Sequence, residues 1–239
     1  MNDGLPESIF NIDNQESFSE AALGIFNLQS ENNCVYRDFI SSLGLKEIRN
    51  IDDIPFLPGD IFRSREVVTG TGAAEIVFES STTSGSDPCR HFVKDLRLYE
   101  ESYLRSFSRF YEDPADYFIA ALLPSYTERK NSSLVYMVRG LINRSEYSDS
   151  GFYGNSYEEL IEKIYRAKKN KRKTILIGVS FALLDLAEKY SPDLSGVIVM
   201  ETGGMKGSPC ERSMTSPSTR FASVSIKAIS PASPVCSRA

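Results

Sequence analysis

The stretch Phe78-Glu-Ser-Ser-Thr-Thr-Ser-Gly-Ser-Asp-Pro-Cys-Arg-His-Phe92 is the segment around which the chain is organised. Ala74-Glu-Ile-Val-Phe78, just before it, has the apolar, β-branched character of a buried strand, and a helical apolar period begins at Asp95. Between them run five hydroxyl side chains, Ser80 to Ser84, then a glycine, an arginine and a histidine. Such a loop offers backbone N–H groups, hydroxyl donors and positive charge, which suit a polyphosphate or another anion. A polar surface loop is the alternative that composition leaves open. A Walker A loop is excluded because no Gly-Lys-Ser/Thr follows.

The chain after residue 116 alternates between near-continuous apolar strands and amphipathic helices. The predicted strands are 117–123, 151–153, 173–179 and 196–201, and the helices between them are 132–145, 156–169 and 181–190. This order predicts parallel βαβ units, and hence an α/β fold with a mostly parallel sheet flanked by helices. Ligands bind beyond the carboxyl ends of the strands in such sheets. Three loops are expected there: 80–91, 124–133 and 201–207.

The first hundred residues predict a helical N-terminal segment, a connector and a hairpin. Ser17 and Glu20 fit a capping box, so a helix is expected from there to about residue 30, with a second at 35–43. Residues 67–78 indicate a hairpin turning at Gly70–Gly72. The helix at 95–111 carries an apolar stripe that we assign to the core: Leu96, Tyr99, Tyr103, Phe107 and Phe110. A second capping box is expected at Ser156.

Composition places limits on the class of protein. The 239 residues are 41% hydrophobic and 25% charged, with a net charge of −5, which argues against a general nucleic-acid binder. The N-terminus shows no signal peptide, and no apolar stretch is long enough for a membrane span. The four cysteines lack zinc-site spacing, so no metal site is expected from protein ligands. Together these features predict a cytoplasmic protein.

The sequence predicts two regions, because its composition changes after Gly207. Residues 208–239 contain nine serines, four prolines and one acidic residue, a composition that favours disorder. Our hypothesis for this tail is out-of-frame or otherwise unrelated coding.

The spacing Phe-x-Ser-Ser-x-Thr-x-Gly-x-x-Pro-x-Arg-His in the central stretch resembles the Ser-Ser-Gly-Thr-Thr-Gly phosphate loop of adenylate-forming enzymes. It is most similar to the loop of the acyl-protein synthetases (long-chain-fatty-acid–luciferin-component ligases), the fatty-acid-activating component of bacterial bioluminescence. The resemblance covers the chain from about Ile12 to Gly207, and it implies that residues 1–207 form the nucleotide-binding core of such an enzyme, although an incomplete one. It continues through Leu122-Leu-Pro-Ser-Tyr126, Ser132-Ser-Leu-Val-Tyr-Met137, Ile177-Gly-Val-Ser180 and Met200-Glu-Thr-Gly-Gly-Met-Lys-Gly207.

The resemblance implies roles for individual residues. Those expected to bind ATP are Ser80, Ser81, Thr83 and Gly85 in the phosphate loop, with Thr202, Gly203 and Gly204 in a wall of the adenosine site. Arg90 and His91 close the loop motif and are the expected catalytic residues. Arg90 would stabilise charge on the transferring phosphates, and His91 would donate to the acyl carboxylate or phosphate. Packing beside the loop is the alternative role for His91, the only histidine.

The resemblance also implies a reaction. A fatty-acid carboxylate attacks the α-phosphate of ATP, assisted by Mg²⁺, and yields an acyl-adenylate and pyrophosphate. The acyl group then passes to a protein or thiol acceptor, with an acyl-reductase or acyl-carrier protein as the expected partner. The loop departs from the family at Thr82, which replaces a glycine, and at Ser84, which replaces a threonine. If that glycine is left-handed, the β-branched Thr82 would distort the loop.

Two alternatives of other classes remain open. A non-catalytic fragment would bind only nucleotide or an acyl chain, and the missing Tyr-Gly-x-Thr-Glu motif of the family favours it. A serine esterase or acyltransferase would use Ser180, because Gly178-Val-Ser180 between a strand and a helix imitates a nucleophile elbow. That enzyme needs a histidine after the serine, and none follows. A helix N-cap is the simpler role for Ser180.

Overall fold

The computed structural model describes residues 9–45, 48–80, 87–123 and 131–202. The chain groups into two compact units. The first unit ends at Arg105 and also includes Asn131–Ser133, and the second contains the rest of the chain from Ser106 onward. The predicted tail, residues 208–239, lies outside the described residues.

The first unit begins with two helices, α1 (Gln15–Asn32) and α2 (Cys34–Ser42). The Asn14 side chain caps α1 by accepting the Ser17 N–H at 2.9 Å, while the Asn14 N–H donates to the Ser17 hydroxyl at 3.2 Å. The predicted capping box at Ser17 and Glu20 is therefore wrong by one turn. Asparagine is as good an N-cap as serine, and it adds three residues before Phe18 to the helix. The second helix is followed by Gly44, whose φ is +66°.

A one-turn helix and a two-stranded antiparallel sheet complete this unit. The connector contains a 3₁₀ turn at Ile51–Asp53 and then α3 (Ile61–Ser64). Strand β1 (Ile76–Glu79) pairs with β2 (Arg90–Val93), with Ile76 opposite Val93 and Glu79 opposite Arg90. The helix α4 (Leu96–Tyr111) begins only after β2.

The predicted hairpin at Gly70–Gly72 is wrong, because β1 finds its partner after the hydroxyl-rich loop rather than before it. Residues 69–72 instead wrap around the ammonium group of Lys94, whose Nζ donates to the Thr69 carbonyl at 3.2 Å and to the Thr71 carbonyl. Gly70 and Gly72 have φ values of +72° and +104°, which glycine adopts without strain. The two glycines therefore allow the backbone turn whose carbonyl groups bind Lys94.

The second unit contains a four-stranded parallel sheet. Its strands are β3 (Tyr117–Leu122), β4 (Gly151–Phe152), β5 (Lys173–Gly178) and β6 (Val197–Glu201), in the order β4-β3-β5-β6. The helices between them are α5 (Ser133–Arg144), α6 (Tyr157–Lys169) and α7 (Ser180–Tyr190). A 3₁₀ turn at Pro114–Asp116 leads into β3. This order confirms the predicted α/β fold with a mostly parallel sheet flanked by helices.

The central strands form the core of this unit. All six residues of β3 and five of the six in β5 are buried, as expected for parallel strands covered on both faces. From β3 the chain passes to β4 on one side and afterwards to β5 on the other. The strand order therefore reverses between β3 and β5, and such a switch point is where open parallel sheets bind ligands.

Three details of the predicted helices need correction. In α4 the buried stripe ends on Tyr111, which is 6% exposed, whereas Phe110 is 74% exposed. Tyr111 continues the four-residue row through Phe107, and Phe110 lies off it. Ser156 precedes α6 without a side-chain cap hydrogen bond, so the second capping box is wrong. The N-cap of α7 is Val179, and Ser180 is the first helical residue.

Candidate functional site

The connection between β1 and β2 is closed at its base by a pair of hydrogen bonds. The Ser80 N–H donates to the Cys89 carbonyl at 2.9 Å, and the Cys89 N–H donates to the Ser80 hydroxyl at 3.0 Å. The loop is thus the connection of an antiparallel hairpin, not a strand-to-helix loop at the edge of the parallel sheet as predicted. Of the expected phosphate-binding residues, Ser80 sits at this closed base. Ser81, Thr83 and Gly85 lie outside the described residues.

Arg90 and His91 are consecutive on β2, so their side chains face opposite sides of the hairpin. The His91 ring stacks on the Phe62 ring of α3, with the centroids 4.9 Å apart. The Arg90 guanidinium lies 5.7 Å from the centroid of the Phe92 ring on its own face. Both residues are exposed. The structure therefore separates the two predicted catalytic side chains, and the ring stack supports a packing role for His91.

A further cation reaches the loop from α3. The Arg63 guanidinium donates to the Asp87 carbonyl at 2.8 Å and also pairs with Asp60 at 3.3 Å. The same segment contacts Cys89, whose Sγ lies 4.0 Å from the Gly59 carbonyl. Sequence analysis missed Arg63, because a four-residue helix after a proline-rich connector carries no periodic signal. Together with Arg90 it places two positive charges beside the hydroxyl-rich loop.

Part of a second candidate loop meets this hairpin. The Glu79 N–H donates to the Asn131 carbonyl at 2.9 Å, and the Tyr99 hydroxyl donates to the Ser133 carbonyl at 3.0 Å. Residues 131–133 end the predicted loop 124–133, of which 124–130 lie outside the described residues. The hairpin and this segment therefore pack together within the first unit.

Thr202 lies in the second unit, where it fixes the carboxyl edge of the sheet. Its N–H donates to the Gly178 carbonyl at 3.0 Å, and its hydroxyl donates to the same carbonyl at 3.3 Å. On the other side of β5, the Val179 N–H donates to the Leu122 carbonyl at 3.4 Å. Gly203 and Gly204 lie outside the described residues. The expected binding residues thus belong to two different units.

Ser180 follows β5 directly, as the elbow-like motif suggested. It lies in the first turn of α7 and is not among the described non-glycine residues with positive φ, which are Glu112, Lys171 and Ser191. A nucleophile elbow is a sharp, strained turn. The ordinary helical start at Ser180 does not support the serine-esterase alternative.

Several side chains of the basic run at residues 166–173 bind partners within the second unit. Arg166 pairs with Asp149, as Lys163 does at 2.9 Å. The hydrogen bonds from Lys163 and Arg166 hold the pKa of the Asp149 carboxyl below its usual range. Further along the run, Lys168 pairs with Asp193, Lys173 with Glu112, and Arg172 lies 4.6 Å from the centroid of the Tyr147 ring. These pairs compete with any external anion for the run.

Searches of the described residues also bear on metal and membrane binding. Within the described ranges, no three His, Cys, Asp or Glu side chains group closely enough to hold a metal ion. Across the same part of the chain, none of the helices combines the length and the hydropathy needed to cross a bilayer.

Comparison with models of known families, with curated proteins and with solved structures finds no match to this chain. Function is therefore inferred from the hairpin of the first unit and from the sheet edge of the second.

Proposed function

We propose that this chain binds ATP through the β1–β2 loop and activates a fatty acid as its acyl-adenylate, as its resemblance to acyl-protein synthetases implies. The observation that carries the proposal is the closed base of the loop at Ser80 and Cys89. Closure joins the two ends of an eight-residue connection whose sequence is rich in hydroxyl groups. A confined set of donors binds anions with less loss of entropy than a free loop would.

Charge at the hairpin supports an anionic ligand. Arg90 is exposed beside the loop base, and Arg63 holds the returning arm through the Asp87 carbonyl. Glu79 lies opposite Arg90 in the register, yet within the described part of the chain no ion pair joins the two. The Arg90 guanidinium is therefore available for a phosphate, which arginine binds with two parallel hydrogen bonds.

The residues present fit an ATP–Mg²⁺ substrate rather than a metal held by the protein. Mg²⁺ in nucleotide sites is bound by substrate phosphates and one or two carboxylates, so no larger acidic cluster is required. In the second unit, Thr202 follows β6 at the carboxyl edge of the parallel sheet. That edge is where nucleotides bind in open α/β sheets, which supports the adenosine role proposed for this segment.

Calorimetric titration with ATP and Mg²⁺ tests the proposal on the intact chain and on three variants. Thr82→Gly restores the family residue, Arg90→Ala removes the proposed phosphate ligand, and Arg97→Ala is the control. Arg97 is an exposed arginine of the same unit that pairs with Asp95 at 2.7 Å. We expect binding weaker by about tenfold or more for Arg90→Ala and unchanged binding for Arg97→Ala, because a hydrogen bond to a charged group is worth about 1.5–3 kcal/mol.

The outcomes separate the alternatives. Binding only by Thr82→Gly would mean that the loop is correctly assigned and that Thr82 distorts it. If neither the parent chain nor Thr82→Gly binds ATP, although both are folded, the proposal is wrong. A second assay, ATP–pyrophosphate exchange with long-chain fatty acids, addresses the chemistry. Nucleotide binding without exchange would favour the alternative that the chain binds nucleotide but does not catalyse.

A further inference from the structure

The junction between β5 and α7 presents free backbone donors at one edge of the second unit. The first turn of a helix leaves N–H groups without intrahelical acceptors. In α7 the N–H groups of Ala182 and Leu183 return to the Val179 carbonyl at 3.1 and 3.0 Å. Among the described residues, the N–H groups of Ser180 and Phe181 have no acceptor. Two adjacent donors therefore point out of this helix end.

The Ser180 hydroxyl adds an independent sign of a ligand. The residue is only 8% exposed, and its hydroxyl makes no hydrogen bond within the described part of the chain. The oxygen itself is not fully enclosed, so a ligand can reach it. A hydroxyl in a residue this buried keeps little contact with water, and such groups without a protein partner are rare in native proteins. A ligand that accepts a hydrogen bond would supply the missing partner.

The position in the sheet fits a binding site. Ser180 follows β5 at the switch point, where the Val179 N–H meets the Leu122 carbonyl of β3 at 3.4 Å. Val179 and Leu123, the residues that leave these two strands, are 0% exposed. Apolar surroundings strengthen hydrogen bonds and dipole effects at the helix terminus. The donors thus lie where parallel sheets bind ligands.

A carboxylate at the same edge limits the negative charge that a ligand can carry. Glu201 ends β6, is the register partner of Gly178, and is half-buried. Its charge disfavours a multiply charged anion more than a singly charged one. We propose that the N-terminus of α7 binds a singly charged oxyanion, a carboxylate or a phosphate diester, through the Ser180 hydroxyl and the N–H groups of Ser180 and Phe181. This site lies within the second unit and does not rest on ATP binding by the hairpin.

Backbone amide NMR on the intact ¹⁵N-labelled chain tests the site directly. The probes are acetate, dimethyl phosphate and pyrophosphate, titrated at constant ionic strength, so no nucleotide is involved. We expect saturable shifts of the Ser180 and Phe181 amide signals with acetate or dimethyl phosphate, and weaker binding of pyrophosphate. Ser180→Ala should weaken binding about tenfold, since it removes a hydrogen bond to a charged group. Ser191→Ala, at the opposite end of the same helix, should leave it unchanged.

Three results would overturn the assignment. The first is the absence of saturable shifts at Ser180 and Phe181 with all three probes. The second is unchanged affinity in Ser180→Ala whose spectrum shows a native fold. The third is tighter binding of pyrophosphate than of either singly charged probe, which would contradict the charge argument from Glu201. Acetate and dimethyl phosphate in separate titrations tell a carboxylate site from a phosphate site.

Discussion

Gly178→Ala should destabilise the protein by about 1–3 kcal/mol, the usual cost of overpacking a core. An ideal Cβ at Gly178 would lie 2.7 Å from both Cγ and Cδ2 of Leu183, closer than such atoms approach in proteins. Because Cγ is part of the clash, rotating the end of the Leu183 side chain does not relieve it. The side chain or the start of α7 must move, next to strands whose side chains are almost fully buried.

Thermal and urea unfolding of matched variants measure this cost. A loss of about 2 kcal/mol lowers the melting temperature of a domain of 150–250 residues by about 4–8 °C. Gly151→Ala on β4 is the control, since its Cβ would meet nothing within 4 Å and we expect no loss of stability. In a Leu183→Ala background the Gly178→Ala change should cost much less, because the clashing atoms are gone. Equal costs in both backgrounds would refute the clash as the cause.

Two further predictions concern the cap of α1 and an ion-pair cluster. Asn14→Ala should lower the free energy of unfolding by about 1 kcal/mol. Asn14→Asp should lower it by much less, because Asp can still accept the Ser17 N–H that caps the helix. Equal losses for the two variants in urea unfolding would contradict this. Lys163 and Arg166 lower the pKa of Asp149 in the folded state. The stability that this lowered pKa adds to the fold is therefore present above the usual pKa of 3.8 and is lost as pH falls below it. Asp149→Asn should therefore destabilise the protein at pH 7 and progressively less below pH 4; a loss of stability that is the same at pH 7 and pH 3 would contradict this.

Periodicity predicted the second unit well because its strands and helices have strong local patterns. The apolar runs of β3 and β5 have the length of buried strands and lie between segments with a helical period, and their burial in the sheet matches the prediction. Errors fall at the ends of elements, where one hydrogen bond decides between neighbours. Asn14 and Ser17 can both cap a helix, and only the geometry of the turn shows which residue does so.

The candidate site was less predictable because strand pairing is non-local. Residues 76–79 and 90–93 are both short, and the glycines at 70 and 72 offered a closer turn for the first strand. The glycine turn was instead needed around Lys94, a contact that sequence spacing does not reveal. This one change of partner converted a strand-to-helix loop into a hairpin, and it put Arg90 and His91 on opposite faces.

That change also divides the features that suit an anion between two places in the chain. The sequence argument assigned a helix N-terminus, hydroxyl groups and cations to one loop, but α4 begins only after β2. The hairpin keeps the hydroxyl groups and the arginines, so it would hold a highly charged phosphate chain by charge and amides. The start of α7 has the helix terminus and the Ser180 hydroxyl, at the same sheet edge as Glu201, which suits a single negative charge. A ligand that shifts the Ser180 amide signal and binds Arg90→Ala with unchanged affinity would therefore bind at α7. A ligand that binds Arg90→Ala more weakly and leaves the Ser180 signal unchanged would bind at the hairpin.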